Sequence, residues 1–564
     1  MKAKYPKIIL VTLVFITCIL GIIGFHQALP DISLLSVVYL TIQLFTLESG
    51  SIVEQDLPLS LEISRWLAAF ISISAIFTAL LMYLRRSAGM FKRSRLKDHS
   101  IIFGDGAAVE GYCSSNIDTT VILSSNESVI ESWEGRGGTS VTIDKEEFAV
   151  SEDNLRDARL EYASNLFLLA TDDNANLHAA LMAQSMEICK GTKIIVRQDN
   201  PANRDLIQRN GLLAGDVDND LRVISIEITR ARHLLKNTPL EWSKSHGYAT
   251  EAHLALSGLG SFEQAVAVQA ALIGHYPSNG KVNLWLDSKE AQDNLVRSYP
   301  GIIKCVNLRL IGDEGVSSVA DLFDQLPSGA ALTVLATDTN AEEGFVRGLQ
   351  YREKWQARKS DISMKVVLSG PLPYNASEHT QIENAIGQWL FIAPTIGSLA
   401  SADHFLDDRI DAVARQIHET WYQGNMQKIA SASAEGRTQD EEALRSKATF
   451  KKWEQLTEYQ KDSNRTAADH LDVKIRSVEL DPAQADLLDA WKKLSSKQLD
   501  MLARMEHERW AAQLWINGYK QGERDDANRT HPNLVPYKEL DKGVQKYDID
   551  QVKEAAVYYT AATR

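Results

Sequence analysis

The sequence predicts a multi-domain chain: a helical membrane module of two spans, two tandem α/β units with parallel sheets, and an all-α C-terminal region. Three observations predict it. Two long apolar runs lie within the first 84 residues, and strand–turn–helix patterns with paired glycines recur near residues 104 and 258. From about Asp407 onward, strand patterns give way to amphipathic helices with charged faces. A chain of 564 residues also needs several folding units, because single cores stop growing at about 250–300 residues. The expected boundaries are 1–98, 99–245, 246–400 and 401–564.

The first run, Ile8 to Phe25, is uncharged and long enough for one helix to cross a bilayer core. Lys2, Lys4 and Lys7 precede it, as in a signal peptide, but no small-x-small cleavage site follows. The second run, Trp66 to Leu84, ends in Arg85, Arg86, Lys92, Arg93, Arg95 and Lys97, which marks a cytoplasmic boundary. Between the runs lie Asp31, Glu48, Glu54, Asp56 and Glu62, with no Lys or Arg before Arg65, so this loop is expected outside. Both termini then face the cytoplasm of a multi-pass inner-membrane protein. Within the loop, residues 34–50 begin with the apolar stretch Leu34 to Leu47, too short to span and return. A re-entrant segment is expected there.

This layout resembles the two-helix potassium channels over roughly the first hundred residues. The resemblance implies a pore module built by a homotetramer, with inorganic cations as cargo. Where such channels carry a Thr-Val-Gly-Tyr-Gly filter, this chain has Thr46-Leu47-Glu48-Ser49-Gly50, which puts potassium selectivity in doubt. A ring of Glu48 carboxylates would favour cations; equally, Glu48 is a solvated loop residue.

A net charge of -14 argues against nucleic acid as a partner. Cys18, Cys113, Cys189 and Cys305 are too scattered for a disulfide framework or a metal site, and suit a reducing compartment.

After the basic boundary, an apolar strand leads into Gly104-Asp105-Gly106 and then a helix, the start of a phosphate-binding turn. A second strand ends in Thr171-Asp172-Asp173 before another helix, and the strand Lys193 to Gln198 follows, so the strands should lie parallel. The stretch from Leu96 to Leu240 resembles the regulator-of-conductance (RCK) or TrkA-N domain, most specifically in Ala170-Thr171-Asp172-Asp173-Asn174 with Asn176-Leu177. That resemblance implies a Rossmann-like fold and a nucleotide site at Gly104, Gly106 and Asp172. Two departures weaken the site: Val109 replaces the third glycine, and Ser124 stands where an acid would meet the ribose.

The pattern then repeats. Gly258 and Gly260 lie between a strand and a helix, and Val334 to Asn340 echoes Leu169 to Asn174. A duplicated domain is expected. Asp287 falls where a ribose-binding acid would lie, but Glu263 takes the third glycine position and would repel a pyrophosphate. The second copy is therefore expected to serve mainly as scaffold. No constellation of acid, base and nucleophile accompanies either copy, so no enzyme is expected.

The last hundred residues hold unusual polar clusters: Asn464-Arg465 with His470 and Lys474, then Glu506-His507-Glu508-Arg509-Trp510. Gly518-Tyr519, Arg524-Asp525-Asp526 and His531-Pro532-Asn533-Leu534-Val535-Pro536-Tyr537 follow. From Lys497 to Tyr558 these resemble the ryanodine-receptor repeat, or RyR domain, which in microbial members reaches back toward Trp453 and Asn464. Two readings stay open. Trp510, Tyr519 and Tyr537 offer stacking faces and Arg465, Arg509 and Arg524 offer phosphate contacts, which together suit an adenine nucleotide, NAD or an ADP-ribose-type ligand. Alternatively the aromatics form a small core and Arg524 pairs with Asp525 or Asp526. His507-Glu508 lacks the second histidine of a zinc helix. The order of modules suggests a ligand-gated cation channel subunit; the alternative is a membrane-anchored nucleotide sensor or regulatory subunit without its own conductance.

Overall fold

The computed structural model describes residues 4–46, 57–113, 117–144, 150–186, 191–201, 203–204, 207, 221–243, 247–278, 280–312, 318–337, 341–357, 361–369, 389–399, 411–447 and 449–563. The chain divides into two compact units, the first ending at Arg95 apart from a three-residue segment, Gly137–Thr139.

In the first unit the apolar runs become helices α1 (Lys4–Ala28) and α3 (Leu59–Arg93). Both are long and apolar enough to cross a membrane, over Val11–Ala28 and Leu59–Leu80. Helix α3 starts seven residues before the apolar run at Trp66, after Pro58, and in this first part Arg65 and Glu62 pair one turn apart, at 3.3 Å. Small residues let the helices approach: a Cβ on Gly24 would come within 2.6 Å of Leu61, and Ser64 donates to the Thr17 carbonyl at 2.9 Å. Between them lies the short helix α2 (Leu34–Gln43), capped by Ser33 and followed by a single tight turn, Leu44–Thr46. Phe25, Val37, Leu44, Leu61 and Ala68 form the core of this unit. Its outer surface exposes Phe15, Leu35, Trp66, Phe70, Ile76 and Phe77, an apolar face of the kind that water disfavours and lipid accepts.

The second unit contains two six-stranded, all-parallel sheets. The first runs β3 (Thr139–Thr142), β2 (Thr120–Ser124), β1 (His99–Phe103), β4 (Ala163–Leu168), β5 (Lys193–Arg197), β6 (Leu221–Ile224) in space. The second runs β11 (Asn307–Leu310), β10 (Asn283–Leu286), β9 (Ala252–Ser257), β12 (Ala331–Thr337), β13 (Ser363–Ser369), β14 (Leu390–Ile392). The two orders are identical once the small hairpin β7–β8 (Trp242–Ser243 with Gly247–Tyr248) is set aside. The echoed sequences end β4 and β12, which occupy the same place in their sheets, so the repeat in the sequence is a repeat in the fold. The central strands are buried on both faces and read accordingly as apolar runs.

The C-terminal region is helical, with helices Ala412–Ala434, Glu458–Ser477, Ser496–Ile516 and Lys542–Thr563. One exception departs from an all-α pattern: β15 (Lys520–Gln521) pairs with β16 (Thr530–His531) around the turn that carries Arg524 and Asp525. The apolar core crosses the expected boundary at residue 400. Leu254, Val266 and Leu284 of the second sheet unit belong to one buried cluster with Leu471, Ile475, Leu502, Met505 and Val552. There is no room for a Cβ at Gly301 beside the Trp515 carbonyl, so the helical region and the second sheet unit pack as one body.

Candidate functional site

In sheets of this order the ligand crevice lies beyond the carboxyl ends of the strands, where the order reverses. In the first sheet that point falls between β1 and β4. The chain leaves β1 through Gly104 and Gly106, both at positive φ (134° and 89°). A Cβ on Gly104 would lie 2.7 Å from the Ala170 amide nitrogen, so only glycine fits; at Gly106 the space is open. The acidic run after β4 is occupied with backbone. Asp172 caps the helix Asp173–Ser185, accepting from Asn174 N at 2.8 Å. Asp173 accepts from the amides of Asp199 and Asn200 at 3.1 and 2.6 Å, and burial raises its pKa. The Asn176 carboxamide accepts from Ala170 N and donates to the carbonyls of Ala170 and Arg197, at 2.9, 2.8 and 3.1 Å. It thereby ties the ends of β4 and β5 together. Ser124 ends β2, where its hydroxyl accepts from Asn126 N at 3.1 Å, and Val109 is fully buried beneath the turn.

The second crevice is filled from within. The Asp287 carboxylate accepts from the Gly258 amide at 2.7 Å. Gly260 precedes the helix Ser261–Ile273, and a Cβ there would meet Glu263 Oε2 at 2.7 Å. The buried Glu263 carboxylate therefore lies over the helix N-terminus, the place where a pyrophosphate binds in a dinucleotide fold.

In the C-terminal region the residues singled out from the sequence separate into two groups. Arg465, His470 and Lys474 on helix Glu458–Ser477 face inward. Arg465 pairs with Asp411 at 2.7 Å, Glu458 at 2.8 Å and Asp462 at 2.9 Å. His470 is fully buried against the His275 carbonyl, 3.1 Å away, and burial followed by the charge of Lys474 holds its pKa well below the ordinary value. Lys474 pairs with Glu506 at 2.5 Å. Asn464 is half-buried beside Arg465.

The second group gathers around β15–β16. The Trp510 and His531 rings meet edge to face at 4.9 Å, and Trp510 lies 5.5 Å from His507. Tyr519 is half-buried and shares a hydrogen bond with Tyr459. Burial, and then the charge of Arg524, keeps the His531 imidazole below its usual pKa. Arg524 itself is 70% exposed, 3.9 Å from Asp526. Asp525 holds the turn, accepting from the Ala527 and Asn528 amides at 2.9 and 3.0 Å. Tyr537 is buried, its ring 6.1 Å from that of His507, whose Nε2 sits 2.8 Å from the Val535 carbonyl. Trp510, Tyr519, His531 and Arg524 thus offer half-exposed rings beside an available guanidinium.

Sequence reasoning missed the ionic network that joins the modules. Arg232 pairs with Asp411 at 3.0 Å and with Asp469 at 2.7 Å, and Arg222 pairs with Glu458 at 3.2 Å. Burial alone would raise the pKa of Asp411, but the charges of Arg465 and Arg232 outweigh it and hold the carboxyl low. These partners lie up to 237 residues apart, and no local pattern announces them.

Of the filter positions, Thr46 donates to the Gln43 carbonyl at 2.8 Å; Leu47, Glu48, Ser49 and Gly50 lie outside the described residues. Among the described residues no cluster of three His, Cys, Asp or Glu side chains has the arrangement of a metal site.

Comparison with known families agrees with these two regions. The TrkA-N domain family matches residues 106–217 and the RyR domain family matches residues 489–561. The chain carries both domains. No curated protein matches it. Among solved structures it is similar to the GsuK channel, at 16% identity over 70% of this chain and 95% of that one, with a TM-score of 0.35. It is similar also to GsuK bound to ADP, at 17% identity over 70% and 95% with a TM-score of 0.33. A third is the GsuK RCK domain, at 13% identity over 54% of this chain and 75% of that one, TM-score 0.34.

Proposed function

We propose that the chain is one subunit of a homotetrameric cation channel in the inner membrane, gated by a nucleotide-type ligand on its cytoplasmic side. The observation that carries this reading is the order of parts in one chain. Two span-length helices flank a short apolar helix, and only five residues separate the end of α3 from β1, the first strand of the sheet in which the TrkA-N match falls. Two such spans cannot enclose a path alone, so several copies must surround one axis.

The ligand end of this reading rests on the RyR domain. Trp510, Tyr519 and His531 provide stacking surfaces, each worth about 1–3 kcal/mol to a base by analogy with aromatic stacking on nucleic acids. Arg524, exposed and held among the described residues only by a long 3.9 Å ion pair to Asp526, supplies the guanidinium for a phosphate. Both sheet units then act as the frame that carries the response, the second with its crevice filled by Glu263 and Asp287. Gating requires the ligand to prefer one state; a tenfold preference is about 1.4 kcal/mol per site, and four sites multiply it.

Titration calorimetry of the full-length protein with adenine nucleotides and ADP-ribose tests the ligand. We expect saturable binding that Trp510→Ala and Arg524→Ala each weaken at least tenfold, since both side chains are partly exposed and replaceable without opening the core. Equal binding by both variants would overturn the assignment to this face.

A further inference from the structure

A cavity of about 150 Å³ lies where the three parts of the second unit meet. One wall is β6 and the helix Ile226–Asn237, another is the helix Ser261–Ile273, and the third comes from the helices Glu458–Ser477 and Ser496–Ile516. Trp510, Tyr519, His531 and Arg524, the contacts proposed above for the RyR face, are not part of its lining.

The lining has two characters. Ile228, Val268, Leu272 and Ile516 form an apolar pocket. Most polar groups around it satisfy one another: Arg232 and Arg465 are held by carboxylates, and Gln269 donates to Asp469 at 2.8 Å. Two groups stand apart. The Tyr299 side chain is only 9% exposed, yet its hydroxyl has no hydrogen-bond partner among the described residues. The Arg204 guanidinium also lines the cavity, without an ion pair among them. Burial raises the pKa of the Tyr299 hydroxyl, and Arg204 is the one charged group that opposes this. Tyr299 and Arg204 line the same cavity as the carboxylates Asp411, Glu458, Asp462 and Asp469, which are engaged by other arginines or by Gln269, so the phenol and this guanidinium form the donor half of an anion site.

We propose that this junction cavity binds a small organic monoanion, a carboxylate or phosphate ester with an apolar body about the size of a benzene ring. A cavity of about 150 Å³ is known to admit benzene. The apolar body packs against Val268, Leu272, Ile228 and Ile516, while the anionic group accepts from the Tyr299 hydroxyl and the Arg204 guanidinium. Because every wall belongs to a different part of the fold, an occupant bridges both sheet units and the helical region, and favours the arrangement in which they are joined.

The test is thermal unfolding and titration calorimetry of the full-length protein in lipid nanodiscs, with benzoate, phenyl phosphate, inorganic phosphate and benzyl alcohol as probes. Benzoate or phenyl phosphate should bind saturably and raise Tm, at least tenfold more tightly than neutral benzyl alcohol or inorganic phosphate. Tyr299→Phe, which keeps the ring, and Arg204→Gln should each weaken that binding at least tenfold, whereas Trp510→Ala should leave it unchanged. Failure of both organic anions to bind overturns the proposal. So does binding of benzyl alcohol as tight as that of benzoate, or affinity that survives both substitutions. Loss of binding in Trp510→Ala would place the anion on the RyR face instead.

Discussion

Glu506 sits between Lys474 at 2.5 Å and Arg509 at 2.8 Å, and all three side chains are buried. Burial alone would raise the pKa of this carboxyl, but the Arg509 and Lys474 charges prevail and hold it far below the carboxylate range. Replacing it by Gln strands two buried cations, so Glu506→Gln should cost about 3–5 kcal/mol in urea unfolding at neutral pH. A depressed carboxyl contributes stability above its unfolded pKa, about 4.3, and loses it as pH falls toward the folded value. Asp548 works in the opposite direction. Burial, then the neighbouring Glu506 charge, pushes it up to about 7. Its contribution is present below about pH 4 and is lost as pH rises through 7. Asp548→Asn should therefore gain stability relative to the parent between pH 5 and pH 8; a pH-independent difference would contradict this. The sequence displayed His470, Lys474 and Arg465 as polar residues of unusual density but not their direction. Their partners lie on distant elements: His470 meets the His275 carbonyl, Lys474 pairs with Glu506 and Arg465 with Asp411.

The strand–turn–helix units were legible because each carries a local signature: an apolar run, glycine at positive φ (Gly104 and Gly106 in the first, Gly258 in the second), then a helix. The strands β3, β6 and β14 were not, since three or four residues carry too little periodicity to stand out from loops. The short β15–β16 pair was hidden in the same way inside a helical region. Asn176 marks a signature whose structural meaning is now plain. Its carboxamide satisfies one backbone amide and two backbone carbonyls within the core. Asn176→Ala should destabilise the first sheet unit by about 3 kcal/mol, at about 1–3 kcal/mol for each buried group left unsatisfied. Hydrogen exchange should localise the loss to the ends of β4 and β5; unchanged protection there would mean that these groups find other partners.

At the scale of the whole molecule, the duplication is carried by two sheets with one strand order, while the second crevice has been closed by its own carboxylates. The helical region shares its core with the second copy: Leu502, Met505 and Val552, within the RyR match, lie in one buried cluster with Leu254 and Val266. Sequence alone pointed to separate modules because it shows where patterns change and not where apolar faces meet. Conduction is the property that most directly distinguishes a channel from a sensor without a pore. Purified full-length protein in planar lipid bilayers should show unitary cation currents whose open probability changes at least tenfold on adding adenine nucleotide or ADP-ribose to the cytoplasmic side. Bilayers that stay silent with folded, ligand-binding protein, with and without those ligands, would contradict it.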